Sequence, residues 1–195
     1  MQTESKTNVM RRRSPFLSCL MLLLLTFAAP CGGAQEAAVP EADLKAAFLY
    51  NFTKFVEWPA EAFASDDAPF VVGIFGDDDF AGTLRKLLQD KKAHGHPFIV
   101  KKLTNSNETK GCQILFFREF ETKRFGQLYE SVKRSPILTV GESEEFLDAG
   151  GMFNLFFEDK QLRFEVNPAP AENAKLSISS KLLRLAKKVR KGGAK

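Results

Sequence analysis

Apolar positions along the chain change their period several times, and each change marks a predicted element. From Glu41 to Trp58, the residues Leu44, Phe48, Phe52, Phe55 and Val56 recur at helical spacing, with Pro40 at the start and Pro59 as the stop. A helix with one buried face is predicted there, and Phe48 and Phe55 are expected inside. Phe70 to Phe75 is a short apolar run between Pro69 and Gly76, the pattern of a buried strand, and a helix over 78–90 follows with Leu84, Leu87 and Leu88 inward. Strands over 97–103 and 113–117, a helix over 122–133 and a strand over 137–140 continue the alternation, which is the rhythm of parallel βαβ units. A short acidic helix over 143–148 leads to Gly150 and Gly151. Two strands, over 152–157 and 162–166, are joined at Glu158, Asp159 and Lys160 as a hairpin. Ile178, Leu182, Leu185 and Val189 are spaced by four, three and four, so one last helix is predicted over 171–190. The predicted fold class is α/β: a mainly parallel sheet with helices on both faces and an antiparallel hairpin near the C-terminal end.

The N-terminus stands outside this pattern. Arg11, Arg12 and Arg13 precede an apolar stretch from Phe16 to Ala29, and small residues at Gly32 and Ala34 suit cleavage before Gln35, so residues 1–34 read as a signal peptide. The stretch spans about 14 residues, short of the ~20 needed to cross a bilayer, which argues against a permanent membrane anchor. Pro30 before Cys31 is a poor match to a lipobox, so lipidation is not expected. Residues 35–40 form a linker and 41–195 one domain, placed in the periplasm. The net charge of +4 rests largely on Lys6, Arg11, Arg12 and Arg13. Without the signal the charge is about +1, which removes the electrostatic case for nucleic acid. Cys112 is the single cysteine beyond residue 34, so no internal disulfide is available and the core must be hydrophobic.

Candidate chemistry is sparse. Gly73, Gly76 and Gly82 lie between a strand and a helix, but their spacing misses the dinucleotide fingerprint, and Asp77 to Asp79 would repel phosphate. His94 and His96 are two ligand types without a third, short of a catalytic zinc set. No serine or cysteine has a recognisable base partner, and Cys112 opens a buried strand. No metal, no cofactor and no enzymatic activity are expected.

Four stretches together carry a resemblance: Lys45 to Pro59 (KAAFLYNFTKFVEWP), Ile137 to Gly151 (ILTVGESEEFLDAGG), Phe164 to Asn167 (FEVN) and Leu176 to Ala186 (LSISSKLLRLA). In this order they resemble the YfiR family of periplasmic proteins, over essentially the whole chain beyond the signal. The resemblance implies a Rossmann-like, three-layer α/β domain without a nucleotide site. It also implies a regulatory protein that docks on the extracytoplasmic sensor domain of an inner-membrane diguanylate cyclase and represses it, restraining cyclic-di-GMP synthesis and biofilm formation. Disulfide control known in the family does not carry over to a chain with Cys112 alone.

Relatives beside histidine kinases leave a second reading open, a small-ligand sensory or solute-binding domain serving such a receptor. A homodimer is also left open. Glu57 and Trp58 are candidates for the docking edge, since tryptophan is enriched among interface hot spots. Glu165, Asn167, Ser179, Ser180 and Lys181 are candidates because they match the family's motifs.

Overall fold

The computed structural model describes residues 39–76 and 78–190. The expected signal peptide over 1–34 and most of the linker lie outside the described residues. Pro40 begins the first helix, α1 (Glu41–Phe55), with Glu41 and Asp43 in the first turn and Lys54 in the last, the charge order that a helix dipole favours. The helix stops short of the predicted Trp58. Pro59 disfavours helical backbone at the residue before it, and Val56–Glu57 instead form a short strand, β1.

The chain then runs through β2 (Phe70–Phe75), α2 (Asp78–Leu88), β3 (Lys92–Ala93), β4 (His96–Leu103), β5 (Ile114–Phe117), α3 (Thr122–Val132), β6 (Leu138–Gly141), α4 (Glu144–Asp148), β7 (Phe153–Glu158) and β8 (Gln161–Val166). It ends with α5 (Pro168–Asn173), β9 (Ser177–Ile178), α6 (Ser180–Leu185) and β10 (Lys188–Val189). The main sheet has the order β10-β8-β7-β6-β5-β2-β4-β3. Strands β4, β2, β5, β6 and β7 are mutually parallel, while β7–β8 and β3–β4 are antiparallel. In chain order the parallel strands are arranged second, first, third, fourth, fifth, which is a doubly wound arrangement.

Side-chain alternation sorts the apolar residues to two faces. Phe70, Val72, Ile74, Ile114, Phe116, Leu138 and Val140 join α1 and α2 in one core, while Val71, Phe75, Leu115, Phe117 and Ile137 join α3 and α4 in another. The near-continuous apolar runs that marked β2 and β5 are what a sheet covered on both faces requires. The hairpin falls where predicted. Asp159 and Lys160 both have positive φ, at 49° and 61°, so a two-residue turn whose twist matches the strands closes the pair Glu158↔Gln161.

Two expectations are corrected. The single helix over 171–190 is instead α5, β9, α6 and β10. Lys175 adopts a φ of 59°, which ends α5, and the Ser179 side chain accepts from the Lys181 N–H to start α6 anew. Between them Ser177–Ile178 pairs with Val56–Glu57, so Ile178 sits on a strand and not in the helical stripe its spacing suggested.

The buried face of α1 is also turned from the expected one. Lys45, Ala46, Leu49, Phe52 and Thr53 are buried, whereas Phe48 and Phe55 are half-buried beside α6. The sheet and α2 cover one stripe of the helix and only the short α6 flanks the next, so the predicted stripe is split between core and groove.

Candidate functional site

Charged residues converge at the carboxyl end of the parallel strands, where open α/β sheets hold their ligands. Arg118 directly follows β5 and Glu142 directly follows β6. Gly76, with φ of 129°, ends β2 at a point where a Cβ would strike the Arg118 stem, so the glycine admits Arg118 over the strand end. Gly141 does the same for Phe146 of α4, whose ring occupies the space of a Cβ. Lys45 Nζ reaches Glu142 Oε1 at 2.5 Å and also pairs with Glu41 one turn back on α1. Arg118 Nε lies 3.3 Å from Glu142 Oε2. The Lys45 and Glu142 side chains are only 8% and 6% exposed, so each charge depends on the other.

Glu165, a candidate from the sequence, faces the same cleft as Glu142, together with Asn154 of β7, Glu144 and Asp148 of α4, and Arg190. Lys45, Glu142 and Asn154 are residues that reading the sequence missed. The signal for Lys45 was present: Lys45, Leu49, Phe52 and Val56 share one helical stripe, and a lysine in a buried stripe must meet an anion. For Asn154, an amide on a strand whose neighbours Phe153 and Leu155 face the core, only the neighbouring strands reveal its burial.

Glu57 and Trp58 lie at the opposite, amino-terminal edge of the sheet. The Trp58 indole N–H donates to the Gln113 carbonyl at 3.1 Å, and its ring packs edge-on against Phe70 at 4.9 Å. Gln113 is buried: its Oε1 accepts from the Val71 N–H at 2.7 Å and its amide donates to the Ala62 carbonyl at 2.6 Å. Trp58 thus anchors β1 to the sheet with one edge left at a cleft it shares with Glu57, His94 and His96. His96 stacks on Phe63 at 4.0 Å and its Nδ1–H donates to the Ala68 carbonyl at 2.6 Å. Among the described residues no group of three or more His, Cys, Asp or Glu is placed to hold a metal ion. Ser179 caps α6, Ser180 and Lys181 form its first turn, and Asn167 precedes α5 with its N–H donating to the Met152 carbonyl at 2.8 Å. Of the seven candidates, Glu165 lies in the carboxyl-edge cleft and Asn167 before α5, whereas Glu57 and Trp58 at the amino edge are joined through the β1–β9 pairing to Ser179 at the start of α6, whose N–H donates to the Phe55 carbonyl at 2.8 Å.

Cys112 is buried at the entry to β5, and desolvation pushes its thiol from 9.0 up to about 11, with the Lys101 charge drawing it partly back. Below pH 9 the thiol is protonated in both states. Between pH 9 and 11 the unfolded chain ionises first and so binds fewer protons, and stability falls as pH rises. Comparing urea midpoints of the wild type and Cys112→Ala across that window should show roughly 2–3 kcal/mol of alkaline loss specific to the wild type. Equal losses in both proteins would place the thiol in water.

The fold and these clefts define a class: an α/β domain built around a doubly wound sheet, with ion-paired polar groups at one sheet edge and aromatic groups at the other. The chain belongs to the YfiR/HmsC-like family, whose sequence profile matches residues 42–187. Among solved structures it is similar to a conserved domain protein from Vibrio cholerae, with a TM-score of 0.51 and 11% identity over 78% of this chain and 61% of that one. That likeness concerns the fold, and the chain spans less than two thirds of its neighbour. A weaker likeness is to an ABC domain in complex with L-Trp from Streptococcus pneumonia, with a TM-score of 0.44 and 10% identity over 62% of this chain and 55% of that one. No curated protein matches. No described helix is long and apolar enough to cross a membrane. Membership of the family supports, in general terms, a periplasmic regulatory protein of cyclic-di-GMP signalling, and a regulatory family fits a protein that is not an enzyme.

Proposed function

We propose that this protein docks on the periplasmic sensor domain of an inner-membrane diguanylate cyclase and holds the enzyme in its less active state. The family match over residues 42–187 carries this reading. The signal at residues 1–34 would deliver the chain to that compartment. Such a protein needs no chemistry of its own: it shifts the receptor's equilibrium by binding one state better than the other.

The surface that suits docking is the apolar groove between α1, β8 and α6, lined by Phe48, Phe55, Leu162, Leu182 and Leu185. Leu185 is 68% exposed, an unusual position for a leucine beside an open groove. Glu57 and Trp58 would form a second contact edge. Deleting the gene should raise cyclic-di-GMP, and wild-type protein supplied in trans should restore it. Leu185→Arg should remain folded, since exposed substitutions usually stay within about 0.5 kcal/mol, yet weaken capture of the cyclase's periplasmic domain by about 2 kcal/mol or more. A folded Leu185→Arg protein that binds and represses like the wild type would exclude the groove. A deletion that leaves cyclic-di-GMP unchanged would exclude the cyclase.

A further inference from the structure

The cleft at the carboxyl end of β6 has a volume of about 380 Å³ and an unusual balance of polar groups. Four carboxylates line it, from Glu142, Glu144, Asp148 and Glu165. Glu142 is answered by Lys45 and Arg118, and Asp148 pairs with Arg190. Glu144 and Glu165 form no ion pair among the described residues. Asn154, only 4% exposed, stands in the cleft between its ladder partners Gly141 and Glu165, and among the described residues its Oδ1 has no hydrogen-bond partner. A buried carbonyl oxygen left without a donor destabilises the fold, so its presence beside carboxylates that form no ion pair among the described residues points to a donor supplied from outside the chain.

The donor must be cationic, because the surplus charge of the cleft is negative. It must also be larger than a bare metal ion, for which 380 Å³ is too open and for which no set of three ligands converges among the described residues. Phe156 and Phe157 line the same cleft and add apolar surface against which an alkyl chain can lie, the Phe157 ring already carrying the Lys45 ammonium 5.7 Å from its centroid. We propose that this cleft is a binding site for an organic ammonium ligand of the alkyl-diamine class. One ammonium donates to Asn154 Oδ1 and the Glu165 carboxylate, and the other lies near Glu144. The site is separate from the docking groove, and direct binding to the purified protein tests it whether or not the cyclase is the partner.

The experiment is calorimetric titration of the purified protein with putrescine, and in parallel with calcium chloride at matched ionic strength. Putrescine should bind saturably at one site and raise the melting temperature. Asn154→Leu and Glu165→Gln should each weaken it by about tenfold or more, the factor expected for losing a hydrogen bond to a charged group. Asn154→Leu should melt at or above the wild-type temperature, because it removes an unpaired buried oxygen. Should that variant not fold, Glu165→Gln, at a half-buried position, carries the test alone. No saturable heat with putrescine at millimolar concentration would overturn the proposal. So would unchanged affinity in Glu165→Gln, or binding of calcium in place of putrescine.

Discussion

Replacing Lys45 with methionine is expected to destabilise the protein by about 3 kcal/mol, the low end of the cost of removing one partner from a buried ion pair. Methionine fills nearly the same space, so the loss would come from the Glu142 carboxylate, which is 6% exposed and would keep Arg118 alone as counter-charge. Arg118 is partly exposed and 3.3 Å away, which places the effect at the low end of that range. The double substitution Lys45→Met with Glu142→Leu should return stability to within about 1 kcal/mol of the wild type or exceed it, since apolar replacements of buried pairs are often neutral or stabilising. Urea midpoints of the three proteins at neutral pH decide the matter. A single variant within about 0.5 kcal/mol of the wild type would show that Glu142 is hydrated.

The largest expected loss is from Phe52→Ala, about 3–5 kcal/mol, because a fully buried aromatic leaves both lost transfer energy and a cavity. Phe52 is buried against Phe153, Phe164 and Phe48, with ring centroids 4.7, 5.4 and 6.2 Å away. Phe55→Ala, one turn further on, should cost less than half as much, because Phe55 is half-buried at the groove. Equilibrium unfolding of both variants tests the rotation of α1 on the sheet. If Phe55→Ala proves the more damaging, the helix packs with the stripe that its spacing first suggests.

Legibility in the sequence followed the range of the forces involved. Elements set by neighbours within one turn or one strand were readable. The runs that became β2 and β5 are apolar throughout because both faces are covered, and the Asp159-Lys160 turn closes a hairpin that its flanking alternation announces. The two-residue strands β1, β3, β9 and β10 were not readable, since two residues carry no period and exist only where a partner edge is waiting. The same cause explains the split of the final predicted helix. Ile178 and Leu182 keep helical spacing, but the exposed edge of β1 captures Ser177–Ile178, and Lys175 and Ser179 supply the breaks on either side.

For the candidate site, the motif singled out Glu165, which lines the carboxyl-edge cleft, while Glu142 and Asn154 carry no local mark. Lys45 and Glu142 stand in two of the stretches that carry the family resemblance, yet a charged residue in a helix or after a strand is usually solvated, and nothing local marks these two as partners. The sequence by itself determined the α/β class, the order of the long strands and helices, the hairpin, and membership of the YfiR/HmsC-like family, all of which rest on periodicity and local motifs. Only the tertiary structure decided which face of α1 is buried, that Lys45 and Glu142 neutralise each other, and that Asn154, between Gly141 and Glu165, has an Oδ1 without a partner among the described residues. Each of these depends on the order of strands in the sheet, and strand order is settled by long-range packing and desolvation that no local pattern encodes.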